Sequence, residues 1–237
     1  MVDFTLSDEQ KDLREMAHNF AEKEMRSVAF EYDKDGTWPA EVIQKAWEVG
    51  LMNTHVDEAY GGPGLDYLSG CLIEEEFGWG CSGIGTSLAC NGLASAPVAL
   101  GGSEETKAKY LGMLCEEPKL ASFCLTEPDA GSDVAGMKTR AVKKGDKYVI
   151  NGSKCFITNG AHADWFTVYA KTDPDAGSRG ITAFVVDKQD GITVDKKEDK
   201  MGQRASNTVT LTFDDVEVPA ENMLGEENKG FKLAMMT

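Results

Sequence analysis

The chain has 237 residues, of which 41% are hydrophobic, and a formal net charge of −16. That suits one large domain or two modest ones with a real core, and it excludes a disordered chain. No basic patch stands out against that charge to meet nucleic acid, and no apolar run of about 18 residues is present to span a membrane. The first residues are rich in Asp and Glu, without the apolar core of a secretory signal or the Arg-rich pattern of a transit peptide.

Ser7-Asp8-Glu9-Gln10 reads as a capping box, and behind it Leu13, Met16, Ala17, Phe20 and Glu24 keep helical spacing. Pro39 opens a second helix running through Trp47, with Gly50 placed to end it. Tyr60-Gly61-Gly62-Pro63-Gly64 is a loop. Residues 66–80 read as a helix. Residues 82–100 are rich in Gly, Ala and Ser, which suits a buried helix, since small side chains let helices approach closely. A last helix covers 104–114, with Tyr110, Leu111 and Leu114 on one side.

Near Pro118 the character changes. Strand-like segments follow at 120–125, 138–142, 148–150, 155–158, 165–170, 181–186, 191–194 and 208–213, rich in aromatic and β-branched residues. Lys144-Gly145-Asp146, Asn151-Gly152 and Asp175-Ala176-Gly177 read as the turns between them. The expected fold is α+β and multidomain: an N-terminal all-α domain over 1–117, then an antiparallel β-barrel-like domain over 118–226. Residues 227–237, ending Phe231-Lys232-Leu233-Ala234-Met235-Met236-Thr237, read as the start of a further helical domain that the chain does not contain.

Cys71, Cys81, Cys90, Cys115, Cys124 and Cys155 include no pair three apart, so they read as reduced, mostly packed thiols. His18, His55 and His162 are scattered and show no metal spacing, and no G-x-S-x-G elbow supports a serine hydrolase.

The stretch that carries chemistry runs Cys124-Leu125-Thr126-Glu127-Pro128-Asp129-Ala130-Gly131-Ser132-Asp133-Val134-Ala135-Gly136. A strand ends at Thr126, and the chain then turns through Pro128 and Gly131. The hydroxyls of Thr126 and Ser132, with backbone N–H groups, can cradle an anion or a polar heterocycle without cationic side chains. By spacing alone the ordinary turn is the better reading of the two. Glu74-Glu75-Glu76 splay around a helix and read as solvated. Glu127 and Asp133 read as fixing the turns of the loop. Trp38, Trp47, Trp79 and the Trp165-Phe166 pair read as packing.

The 124–136 stretch resembles the flavin-loop signature of the acyl-CoA dehydrogenase family, including its T-E-x-x-A-G-S-D core. Other pieces resemble family segments in order: Phe4-Thr5-Leu6-Ser7, Tyr60-Gly61-Gly62, Lys154-Cys155-Phe156-Ile157-Thr158-Asn159-Gly160, Met201-Gly202-Gln203-Arg204 and Phe213-Asp214-Asp215-Val216-Glu217-Val218-Pro219. The resemblance covers essentially the whole chain and is nearest to the short- and medium-chain fatty acyl members.

The resemblance implies a helical first domain, a β second domain and a helical third domain, with FAD between the second and third. It implies that Phe123, Leu125, Thr126, Gly131, Ser132, Phe156, Ile157 and Thr158 bind FAD. Thr126 would meet the pyrimidine edge, Thr158 the hydride-accepting nitrogen, and Phe156 would cover the ring. Ser132 and Ser178 would meet the acyl-CoA. Phe156 stands where several members have Trp, and Phe123 where Tyr is common, so an aromatic face is kept and a polar handle is lost. The implied reaction removes a proton beside the thioester and a hydride from the next carbon, giving trans-2-enoyl-CoA and passing electrons to electron-transfer flavoprotein. That hydride requires carbon and flavin about 3–3.5 Å apart, and the proton requires a carboxylate tuned by burial. The family's base is a Glu of the third domain. A homotetramer, in bacterial cytoplasm or the mitochondrial matrix, is implied as well. Two alternatives remain at this stage: a related acyl-CoA oxidase or nitroalkane oxidase, and a non-catalytic fragment or partner subunit.

Overall fold

A computed structural model describes residues 4–237; the first three residues of the expected 1–117 domain lie outside it. A helical N-terminal region is followed by a sheet domain, as expected from the sequence. By internal contacts the chain forms two compact units, Met1–Ala89 with Asp199–Ser206, and Cys90–Glu198 with Asn207–Thr237.

In the first unit, α1 (Asp8–Phe20) starts on the capping box: Gln10 N–H donates to Ser7 Oγ, and Ser7 N–H to Gln10 Oε1, each at 3.1 Å. A turn of π-helix (Ala21–Arg26) and α2 (Ala29–Asp35) follow. The sequence pattern had not singled out α2, and it buries no residue, so it shows no apolar stripe to find. Helix α3 (Ala40–Glu48) has Pro39 at its cap and buries Val42, Ile43 and Ala46. Helix α4 (Tyr67–Gly101), whose residues from Cys90 on belong to the second unit, is broken at Cys81, which is extended at φ −166° and ψ 111°, so the two helical stretches read from sequence are the two halves of one element. Just before the break, a Cβ on Gly80 would lie 2.9 Å from Ala21 Cβ, the close helix approach that small residues permit. On the surface of this unit, His18 Nδ1 lies 2.7 Å from Glu76 Oε2, and its ring stacks on Trp79.

In the second unit, α5 (Glu104–Glu116) is capped by Ser103 and buries Tyr110, Leu111 and Leu114. The strands are β1 (Ala121–Cys124), β2 (Arg140–Lys144), β3 (Lys147–Thr158), β4 (Trp165–Lys171), β5 (Ile181–Asp187), β6 (Ile192–Lys197), β7 (Thr208–Pro219) and β8 (Met223–Leu224). The sheet runs β6-β7-β3-β2-β4-β5-β8, with β1 added beside β4. It is mainly antiparallel, with β1 and β2 each meeting β4 in parallel. It curls so that strands far apart in this order share a core: Tyr148 on β3 meets Phe184 on β5 at 4.9 Å, and Phe166 on β4 meets Phe213 on β7 at 6.4 Å. That closure is the barrel-like character expected. A short helix, α6 (Gly230–Met236), packs on β5 at buried Gly230, where a Cβ would lie 2.7 Å from the Thr182 backbone.

One turn assignment is corrected. Asn151-Gly152 is not a hairpin but a bulge inside the continuous strand β3, and the register against β7 shifts between Ile150 and Gly152. Gly152 has φ 155°, and a Cβ there would sit 2.3 Å from Thr139 Oγ1. Asn151 Nδ2 donates to Asp215 Oδ1, and Asp215 N–H donates to Asn151 Oδ1, so the dipeptide clips to β7 instead of reversing the chain.

Candidate functional site

The site residues read from sequence all lie in the second unit, in three neighbouring stretches: β1 with the loop that leaves it, the end of β3, and the 3₁₀ segment Pro174–Gly180, which is kinked at Gly177.

The first two stretches are laced together. Past β1, Leu125 and Thr126 present their carbonyls to β3: Lys154 Nζ donates to the Leu125 oxygen at 2.9 Å, and Cys155 N–H to the Thr126 oxygen at 3.0 Å. The chain then reverses tightly, Glu127 and Ala130 exchanging both backbone hydrogen bonds. Gly131 and Ser132 project into solvent beyond it, and the 3₁₀ turn Val134–Gly136 leads back to β2. That turn packs beside the Pro174–Gly180 segment, which carries the half-buried Ser178, so the loop of Ser132 and the segment of Ser178 are neighbours.

Glu127 closes the loop on itself. Its carboxylate is 5% exposed and accepts from Lys138 N–H at 2.6 Å, Thr139 N–H at 3.1 Å and Lys154 Nζ at 2.8 Å. Burial presses this carboxyl upward, but the Lys154 ammonium and the donated hydrogen bonds hold it below the usual carboxylate range. Lys154 has no exposed surface, and burial pushes its ammonium below the usual lysine range against the opposing pull of Glu127. Each charge is neutralised by the other. The loop therefore offers neutral donors to a ligand and no free cation.

The end of β3 is irregular where the site requires exposure. The register slips again between Lys154 and Ile157, and Phe156 takes φ 60° in the left-handed region. Its ring is 65% exposed, between buried Cys155 and Ile157. A bulky residue held at positive φ costs roughly 1–2 kcal/mol, and such strain clusters at functional sites. Thr158 is anchored by its carbonyl, which accepts from Ser122 Oγ at 2.7 Å and Cys90 Sγ at 3.4 Å. The hydroxyls of Thr126, Ser132 and Thr158 take no partner among the described residues. Phe123 is half-buried with its ring 5.3 Å from Tyr169, and Ile157 turns its side chain into the core, leaving only its backbone at this surface.

Sequence reasoning gave Glu127 its loop-fixing role but assigned none to Lys154, Ser122 or Cys90. No spacing rule links a lysine inside an apolar strand to a loop glutamate, so only the fold brings them together. Asp133 is exposed, and its backbone oxygen accepts from Gly136 N–H, so it too shapes the loop. Glu74 and Glu75 face solvent. Among the described residues no His, Cys, Asp and Glu cluster could hold a metal, and no helix is long and apolar enough to cross a membrane. All six cysteines are free thiols.

Two family models match the chain: the acyl-CoA dehydrogenase N-terminal domain over residues 7–118 and the middle domain over 122–216. The probable medium-chain specific acyl-CoA dehydrogenase 2, mitochondrial, of Caenorhabditis briggsae is 48% identical over 99% of this chain and 58% of its own length. The structure of butyryl-CoA dehydrogenase from Megasphaera elsdenii superposes with TM-score 0.94 at 45% identity, over 99% of this chain and 63% of that one. A chain from the structure of an electron transferring flavoprotein of Acidaminococcus fermentans, a study of flavin-based electron bifurcation, superposes with TM-score 0.95 at 44% identity, over 99% of this chain and 62% of that one. The chain thus spans about three-fifths of the length of these relatives.

Proposed function

The chain belongs to the acyl-CoA dehydrogenase family through its N-terminal and middle domains, and we propose that it forms the flavin- and substrate-facing part of an FAD-dependent enzyme that oxidises a fatty acyl-CoA to its trans-2-enoyl-CoA. One observation carries this reading: the laced pair of segments offers three half-buried or exposed hydroxyls without protein partners beside a strained, exposed phenylalanine. That combination fits a flat polar heterocycle, edge to the hydroxyls and face to the ring.

Bound there, FAD supplies the acceptor for the hydride that leaves the acyl chain. The Thr126 and Thr158 hydroxyls hold its polar edge, Phe156 shields its face, and Phe123, Leu125 and the Ile157 backbone line it. Gly131 is exposed in the same loop, with open space where a Cβ would lie, and we assign it to the FAD-binding set with its neighbours. Ser132 and Ser178 bind the acyl-CoA. Glu127 is committed to three donors and kept ionised, which removes it as the proton acceptor. The base belongs to a Glu of the family's third domain. Electrons pass to electron-transfer flavoprotein, and the likeness to the Acidaminococcus chain supports that partner. The domain limits are 1–117, 118–226 and 227 onward, the assembly is a homotetramer, and the compartment is bacterial cytoplasm or mitochondrial matrix.

The test uses the natural polypeptide that contains this chain. The expected result is a yellow purified protein whose visible flavin band is bleached by anaerobic butyryl-CoA. Stoichiometric peroxide release in air would instead place it among acyl-CoA oxidases. A colourless protein that takes up no added FAD would overturn the reading.

A further inference from the structure

We infer that Lys154, acting through its ion pair with Glu127, is a positioning residue that sets the flavin loop against the end of β3. This rests on the function proposed above and goes beyond it, because neither side chain is placed against the ligand.

The geometry is that of a three-way tie. The Lys154 ammonium grips the loop twice, at the Leu125 carbonyl and at Glu127 Oε1. The same carboxylate gathers the N–H groups of Lys138 and Thr139, where the loop rejoins β2. Both ends of the 127–138 loop are therefore fixed to each other and to β3. Lys154 stands two residues before Phe156 and four before Thr158 on β3, and its carbonyl contact is with the residue before Thr126. The Lys154 ammonium thus adds a side-chain tie, beside the Cys155 N–H to Thr126 oxygen bond, between the two segments that carry the candidate hydroxyls.

Stability alone does not account for this choice. A buried ion pair is weak evidence for stability, since apolar residues of similar volume often do as well. What an apolar pair cannot supply is a directed bond to the Leu125 oxygen. A methionine filling the site would pack, and the loop would lose its register.

The experiment compares Lys154→Met, Glu127→Gln and the double variant in the natural polypeptide, measuring FAD affinity, the flavin absorbance envelope and the melting temperature of the apoprotein. Glu127→Gln keeps a carbonyl for the loop N–H groups while removing the charge. Each single variant is expected to lower the melting temperature and to weaken FAD binding about tenfold to a hundredfold. In the double variant the charges are balanced, so the melting temperature recovers, while FAD affinity stays weak and the absorbance envelope stays shifted. If affinity recovers together with melting temperature, or if no variant changes affinity, the pair is structural only and the inference is overturned. A wild-type protein that binds no FAD overturns this inference together with the function it rests on.

Discussion

The hydroxyl of Ser122, on β1, donates to the carbonyl of Thr158, at the end of β3, at 2.7 Å. Thr158 belongs to the candidate site, and Ser122 behind it is fully buried. This bond helps to anchor the end of β3 to β1. Replacing Ser122 with Ala leaves that carbonyl with only the Cys90 thiol, a weak donor. The cost should be about 1–3 kcal/mol, read from urea unfolding. FAD affinity should fall as Thr158 loosens, and unchanged affinity would sever the link between this anchor and the site.

Gly152 is required by the contact it makes. At φ 155°, with Thr139 Oγ1 2.3 Å and Thr139 Cα 2.6 Å from any Cβ, Gly152→Ala must displace the β2–β3 crossing or flatten the bulge. Overpacking of this kind costs about 1–3 kcal/mol, and strain at an unusual φ adds to it. Equilibrium unfolding of the variant should show a loss at the top of that range. A neutral result would mean that the bulge is not built as described.

Phe156 should separate stability from function. Glycine accepts φ 60° at no steric cost, and the ring is mostly exposed, so little packing is lost. Phe156→Gly should leave the melting temperature unchanged or slightly raised. The same variant should weaken FAD binding by roughly tenfold, since an aromatic contact contributes about 1 kcal/mol or more. Loss of stability together with binding would show the ring to be a packing residue.

The thiols should divide by burial. Cys71 is exposed, whereas Cys90 and Cys124 are buried, and burial pushes the Cys90 thiol up to about 12 and moves Cys124 in the same direction. A thiol whose folded pKa is raised contributes stability that is complete below its unfolded value. That contribution is lost as pH climbs through the ordinary thiol range towards the folded value. An aromatic disulfide reagent at pH 8 should therefore modify Cys71 quickly and Cys90 only at the rate of unfolding. Stability should fall on the alkaline side above about pH 9. Rapid modification of Cys90 in the native protein would contradict its burial.

What the sequence by itself determined was local and patterned. Ser7 and Gln10 form a capping box where a helix follows, and runs rich in aromatic and β-branched residues form strands because such side chains fit a pleated, packed surface. The motif from Cys124 to Gly136 singled out the loop between β1 and β2. What only the tertiary structure decided were relations between distant residues. Asn151-Gly152 has the composition of a hairpin turn, yet Asp215 and Thr139, far along the chain or across the sheet, make it a bulge. Helix α2 forms without an apolar stripe of its own. Lys154 reads as one more charge in a strand until the fold encloses it with Glu127, where a buried ammonium must find a carboxylate and a carbonyl. Propensity is written residue by residue, whereas burial and its electrostatic consequences exist only once the chain has closed around them.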